Sequence, residues 1–173
     1  MRKALLIIDM LNDFLRPEGA LYCGQAAEAI IPAVAERIKQ AREDRELILY
    51  LCDNHRPDDQ EFKLWPPHCV AGSWGAQVVA EIAPEEGDVV IPKRRFSGFF
   101  GTDLLLYLVE NRIEQLELVG VCTHICVMYT AADARNLSYP VRVSASRVAS
   151  FDEESHRWGL QQLEKVLGVE VVS

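Results

Sequence analysis

The stretch "QLELVGVCTHICV", Gln115–Val127, runs apolar through Val121 and then turns polar within two residues. Its first seven residues read as a β-strand covered on both faces. A half-exposed strand would alternate apolar and polar, whereas strands of a parallel sheet, packed on each side, are nearly continuous in hydrophobic residues. Three more runs share this habit: "KALLIID" (Lys3–Asp9), "ELILYLC" (Glu46–Cys52) and "DVVIPK" (Asp88–Lys93). Shorter candidates are "VRVSAS" at Val141–Ser146 and "VEVV" at Val169–Val172.

Between the strands lie segments of helical period. In Ala26–Arg45, Ile30, Val34, Ile38 and Ala41 recur at steps of three and four. The others are Ala76–Ile82, Thr102–Asn111, Ile125–Asn136 and Glu153–Leu167. Strand alternating with helix six times over predicts a three-layer α/β/α sandwich, a six-stranded mainly parallel sheet with helices on both faces. No repeat, low-complexity tract or linker interrupts the chain, so one domain is expected over residues 1–173.

With 49% hydrophobic and 25% charged residues in a chain of 173, the composition is that of an ordinary globular protein. A net charge of −8 argues against a surface that tracks nucleic-acid phosphates. A small-molecule or protein partner is expected. Asp9 interrupts the first apolar run too soon for a membrane span or an export signal, so a cytoplasmic protein with no membrane partner is expected. Five cysteines at irregular spacings are better explained as buried thiols, with one a candidate reactive thiol, than as a disulfide framework.

In open parallel sheets ligands bind at the carboxyl ends of the strands. Those ends carry Asp9, then Asp53 with His55, then Lys93, then the segment holding Cys122 and Cys126. A nucleophilic cysteine reacts as thiolate, which a cation or a helix N-terminus favours. Lys93 can supply the cation and a helix starting near His124 the dipole, while Asp9 can accept the thiol proton. Cys126, in the first turn of that helix, is better placed than Cys122, which lies closer to the buried strand end. The plain alternative for either thiol is a small core hydrophobe. Asp9 alone could be a cap or turn former, and Lys93 alone a surface lysine.

The irregular stretch Asp53–Ser73 is too long for a plain connector. Asp53, His55, Glu61 and His68 offer imidazole and carboxylate groups suited to Zn²⁺, Mn²⁺ or Fe²⁺. The alternative there is a solvated acidic loop, of which Asp58 and Asp59 would be part. Phe14, Trp65, Phe96, Phe99 and Phe100 fall in the same loops and can line a flat apolar pocket, or simply fill the core. His124 and His156 are expected to pack or to face solvent.

Five segments in order resemble the isochorismatase-like cysteine hydrolase superfamily, and within it the nicotinamidase/pyrazinamidase group. They are "LLIIDMLNDF", "CDNHRP", "WPPHCVAGSWGA", "PKRRFSGFFGTDL" and "VGVCTHICVMYTAADA". The resemblance implies a catalytic triad of Asp9, Lys93 and Cys126, with a cis peptide between Val121 and Cys122. Backbone N–H groups of Cys122 and Cys126 would form an oxyanion hole. It further implies a divalent metal, foremost Zn with Mn or Fe as alternatives, held by Asp53, His55 and His68, with Glu61 at a fourth-ligand position. Phe14, Trp65, Phe96 and Ile125 match positions that line the substrate ring pocket. The activity implied is hydrolysis of nicotinamide, or a pyrazinamide-like aromatic amide, to the acid and ammonia through a thioester. An amidase for another small amide or carbamoyl compound, and a non-catalytic binding module on the same fold, are the alternatives. A homo-oligomer is expected, as is common in the family.

Overall fold

The computed structural model describes residues 1–173. Its strands are β1 (Lys3–Ile8), β2 (Leu47–Asp53), β3 (Val89–Lys93), β4 (Gln115–Val121), β5 (Val141–Ala149) and β6 (Glu170–Val172). They form one sheet in the order β3-β2-β1-β4-β5-β6, and every neighbouring pair is parallel. The helices are α1 (Asn12–Leu15), α2 (Gln25–Ala29), α3 (Ile31–Glu43), α4 (Leu104–Glu110), α5 (Met128–Asn136) and α6 (Glu153–Lys165).

Ala4 to Ile8 of β1 are all buried, because successive side chains enter opposite cores. Leu5 and Ile7 pack with Ile48, Tyr50 and Val119 against Val34 and Ile38 of α3. Ala4, Leu6 and Ile8 pack with Leu49, Leu51 and Leu118 against α4, α5 and α6 through Leu104, Leu108, Ala131, Ala134 and Leu163. Each fully buried leucine or isoleucine contributes about 1.5–3 kcal/mol. A strand sandwiched in this way has no solvent face, which is why its sequence does not alternate.

The strand order reverses between β1 and β4. From β1 the chain builds outward to β2 and β3, then returns to set β4 on the other side of β1 and builds outward again. The carboxyl ends of β1 and β4 therefore border the crevice where such sheets take their ligands. Gly120 permits the approach of these two strands. Its φ is +113°, and a Cβ there would run into the carbonyl oxygen of Ile8.

Two helical expectations change. Ala26–Arg45 is broken into α2 and α3, with Pro32 in the first turn of α3. Proline has no N–H to bond back into α2, and its ring would meet the preceding turn. Ala76–Ile82 is not an α-helix; only a 3₁₀ turn at Ala80–Ile82 forms. Its backbone instead bonds to the segment after β1, with Asn12 N–H donating to Gln77 O at 3.0 Å and Val79 N–H to Met10 O at 3.1 Å. No helix is long and apolar enough to cross a membrane.

Candidate active site

Paired positions at the ends of β2 and β3 place Asp53 beside Lys93. The Lys93 ammonium, fully buried, lies 2.6 Å from Asp53 Oδ1 and 2.8 Å from Asp9 Oδ2. It also donates toward Cys126 Sγ at 3.6 Å and to the carbonyl of Arg95 at 3.2 Å. Asp9 follows β1 with a φ of 52°, a left-handed conformation that aspartate tolerates better than most residues. That turn aims its Oδ1 at the backbone N–H of Asp53, 2.8 Å away. Three strand ends thus converge on one ammonium.

The fourth group arrives from β4. After a cis peptide between Val121 and Cys122, residues Thr123–Val127 form a widened π-type turn, in which Val127 N–H donates to Cys122 O at 3.2 Å. The expected helix start near His124 is this turn, and α5 proper begins only at Met128. Two histidines outside the pocket hold it. His156 of α6 bonds Thr123 Oγ1 through Nδ1 at 2.8 Å, and His124 Nδ1 bonds Ser150 Oγ. The expectation that these rings pack is met by polar anchoring.

Burial and the Asp53 charge push the Asp9 carboxyl up to about 6, against the opposing pull of Lys93. Burial also pushes the Cys126 thiol well above its ordinary value. Lys93 pulls it down, but Asp9 and Asp53 add to the rise. Burial and the two carboxylates outweigh the one shared cation and favour the thiol over the thiolate, which leaves Asp9 as the neighbouring acceptor for its proton. Lys93 itself stays charged, since its two carboxylate neighbours outweigh its burial.

Asp53 Oδ2, on the side away from Lys93, lies 3.6 Å from His55 Nε2 and 3.7 Å from His68 Nε2. Glu61 Oε1 is 3.9 Å from His55 Nε2. His68 Nδ1 sits 2.8 Å from Pro66 O, so it carries the proton and turns the lone pair of Nε2 inward. His55 Nε2 is buried with no hydrogen-bond partner. The buried carboxylates of Asp9, Asp53, Asp59 and Glu61 outnumber their cationic partners, Lys93 on Asp9 and Asp53 and Arg95 on Asp59. An orphaned imidazole nitrogen within this surplus of negative charge suits a divalent cation, and Asp53, His55 and His68 form a set that could hold one.

Both groups open into one pocket. Its walls include Phe14, Trp65, Phe96 and Ile125, together with Asp9, Cys126, Glu61 and His68. Phe99 packs into the core beside α4 instead, and Phe100 is exposed. Phe151 and Leu21 line the pocket unforeseen, Phe151 stacking on Trp65 with ring centroids 5.9 Å apart and planes 17° from parallel. Phe151 lies just beyond the end of β5. A strand ended at Ser146 hides it, while one carried to Ala149 brings it to the same edge as the other site residues. Asp59, which the alternative reading placed in a solvated acidic loop, is buried. Asp13 was also overlooked: its carboxylate accepts from Cys69 N–H at 2.7 Å and Ala20 N–H at 2.9 Å, tying the loop after His68 to α1.

This six-stranded parallel sandwich, with its pocket at the β1/β4 reversal, is the isochorismatase-like α/β/α architecture. The chain belongs to the isochorismatase family: the isochorismatase domain model matches residues 3–173. It is similar to the crystal structure of a nicotinamidase/pyrazinamidase from Bacillus subtilis, with 35% identity, a TM-score of 0.95 and 100% of each chain covered. A pyrazinamidase of Pyrococcus horikoshii, solved in complex with zinc, matches at 32% identity and a TM-score of 0.92, covering 100% of this chain and 99% of that one. An N-carbamoylsarcosine amidase from Thermoplasma acidophilum matches at 34% identity and a TM-score of 0.90, covering 99% and 96%.

Proposed function

We propose that this protein is a metal-containing cysteine amidohydrolase that converts nicotinamide, or a pyrazinamide-like aromatic amide, to the carboxylic acid and ammonia. The observation that carries the reading is Lys93 Nζ. It touches Asp9 and Cys126 on one side and Asp53, the shared member of the imidazole–carboxylate set, on the other.

In this reading Asp9 removes the proton from Cys126 Sγ, and the thiolate attacks the carboxamide carbon. A carboxyl raised to about 6 suits the task, being ionised at neutral pH yet able to hold a proton. Backbone N–H groups of Cys122 and Cys126 hold the oxyanion, each such donor being worth roughly 10²–10³ in rate. Asp9 passes its proton to the departing ammonia, and a thioester remains on Cys126. Asp9 then takes a proton from water, whose oxygen attacks the thioester carbon; the acid leaves and the proton returns to sulfur. Lys93 keeps the carboxylates and the transient thiolate compatible in one buried place.

A divalent ion held by Asp53, His55 and His68, with Glu61 alongside, would act as a Lewis acid for the ring nitrogen and so orient the substrate; zinc fits this N/O set best. Phe14, Trp65, Phe96 and Ile125 are the ring-binding walls. Five free and buried cysteines suit a reducing cytoplasm. The exposed Leu105, Leu106 and Val109 of α4 favour self-association.

A panel of amides assayed for ammonia release tests the reading. Nicotinamide and pyrazinamide are expected to be turned over well and carbamoyl compounds poorly. The likeness to the N-carbamoylsarcosine amidase makes the opposite order the one specific competitor. Chelation should remove activity, and Zn²⁺, Mn²⁺ or Fe²⁺ should restore it; full activity in metal-free protein would refute the orienting role.

Helix α6 supports the nucleophile turn. A Cβ at Gly159 would lie 3.0 Å from the N, Cα and Cβ atoms of His124. Gly159→Ala should lower kcat several-fold by displacing that turn. Its effect on stability should stay within about 1–3 kcal/mol of overpacking, less about 1 kcal/mol regained from helix propensity. Steady-state kinetics beside thermal unfolding checks this.

A further inference from the structure

A metal-bound imidazole needs one nitrogen free of hydrogen and the other held by an acceptor, since the second bond fixes both tautomer and ring orientation. His68 has its acceptor in the Pro66 carbonyl. His55 has no backbone acceptor on Nδ1. What faces that nitrogen is Asp59 Oδ2, 3.3 Å away, at the edge of hydrogen-bond range. Both atoms are buried and neither completes a hydrogen bond, to the other or to a third group; the next approach to Oδ2, from Arg94 Nη1, is 4.0 Å. The side chains are 0% and 1% exposed.

We propose that Asp59 is the outer carboxylate that makes His55 a metal ligand, its Oδ2 taking the Nδ1–H so that the Nε2 lone pair faces Asp53, His68 and the cation. This rests on the metal-binding reading above. The aspartate is itself rigidly placed. Its Oδ1 accepts from Glu61 N–H at 3.1 Å, capping the 3₁₀ turn Gln60–Lys63, and from Arg95 Nη1 at 2.9 Å. Oδ1 is thus committed to the loop, which leaves Oδ2 for the imidazole. Arg95 belongs to the same strand-end segment as Lys93, whose ammonium bonds the Arg95 carbonyl. One short segment therefore steadies both the outer carboxylate and the hub of the pocket. Asp59 is a positioning residue: it acts on the metal only through His55.

The two jobs of Asp59 can be separated. In Asp59→Asn the amide oxygen can still cap Glu61 and meet Arg95, because asparagine caps as well as aspartate. The –NH₂ then points at His55 Nδ1, which must accept, moving the proton onto Nε2 and closing it to a metal. Asp59→Ser also caps but is too short to reach the ring. The neighbouring exposed Asp58→Asn removes the same charge without touching His55.

Zinc affinity is to be measured on metal-stripped parent and variants by competition with a chromophoric chelator, beside the thermal midpoint of each apo-protein and the visible spectrum of the cobalt-loaded form. Asp59→Asn and Asp59→Ser should weaken zinc about 10–100-fold and alter the cobalt spectrum, with apo midpoints near the parent's. Asp58→Asn should stay within about twofold of the parent, a change far below the loss of an outer-sphere partner. If the Asp59 variants bind zinc like the parent, or lose it only because both apo-proteins are unfolded, the assignment is overturned and the aspartate is merely a cap. A parent that takes up no zinc overturns the metal reading itself, a result distinct from unchanged variants.

Discussion

Cys126→Ala is expected to abolish ammonia release, while Cys122→Ala keeps most of it. The two sulfurs are four residues apart, but they lie on opposite sides of the sheet. Cys126 belongs to the core beside α5 and α6, and its thiol reaches Lys93 and Asp9. Cys122 belongs to the core beside α3, where its sulfur meets Cys23 Sγ at 3.4 Å. Its thiol stays protonated, held there first by the Cys23 contact and then by burial. Removing a sole nucleophile costs on the order of 10⁴–10⁶ in kcat, because the remaining groups only bind and polarise. Losing the Cys122 sulfur opens a small cavity, costing about 1–2 kcal/mol of stability, and leaves the proposed backbone donor in place. Initial rates of the two purified variants decide; the reverse pattern would reassign the nucleophile.

Lys93→Met should lose both activity and stability. Methionine fills similar space but leaves Asp9 and Asp53 facing each other without their shared cation. Breaking a buried charge pair from one side costs about 3–5 kcal/mol. The loss should depend on pH in a defined direction. Lys93 lowers the Asp9 carboxyl, so its removal raises that value further. A carboxyl whose folded value exceeds its unfolded value takes up protons on folding, so stability falls as pH rises through the folded value and recovers below it. The deficit against the parent should shrink as pH falls from about 7 to about 5. Denaturant unfolding of metal-stripped proteins across that range checks it, and a pH-independent deficit would show that packing rather than charge is at fault.

The central strands were legible because burial on both faces is written directly as unbroken apolar sequence. Gln115–Val121 is the clearest case, its predicted bounds coinciding with the observed ones. The edges were less so. At β5 the run "VRVSAS" gave no sign of continuing to Ala149, since its pairing with β4 shifts register between Leu118 and Gly120, and Phe151 was lost with it. Ala76–Ile82 has helical spacing but spends its hydrogen bonds on Met10 and Asn12, a tertiary choice that no local pattern reports. Asp9, Lys93 and Cys126 could be singled out because strand ends are where an open sheet binds. Asp59 could not, because a charged residue beside Asp58 looks solvated until the fold buries it against His55. The state of the Cys126 thiol was also beyond reach, for it depends on two carboxylates whose distances the sequence does not state.

The reversed strand order has a consequence in time. Site residues lie on both sides of the β1/β4 boundary, and β4 pairs with β1 only after more than half the chain has been made. Parallel neighbours so distant in sequence bring a high contact order, which slows folding. A nascent chain ending before Cys126 would hold Asp9, His55 and Lys93 but not the sulfur that Lys93 and Asp9 reach. Activity during synthesis should therefore appear in one late step, after the second half of the sheet has closed on the first.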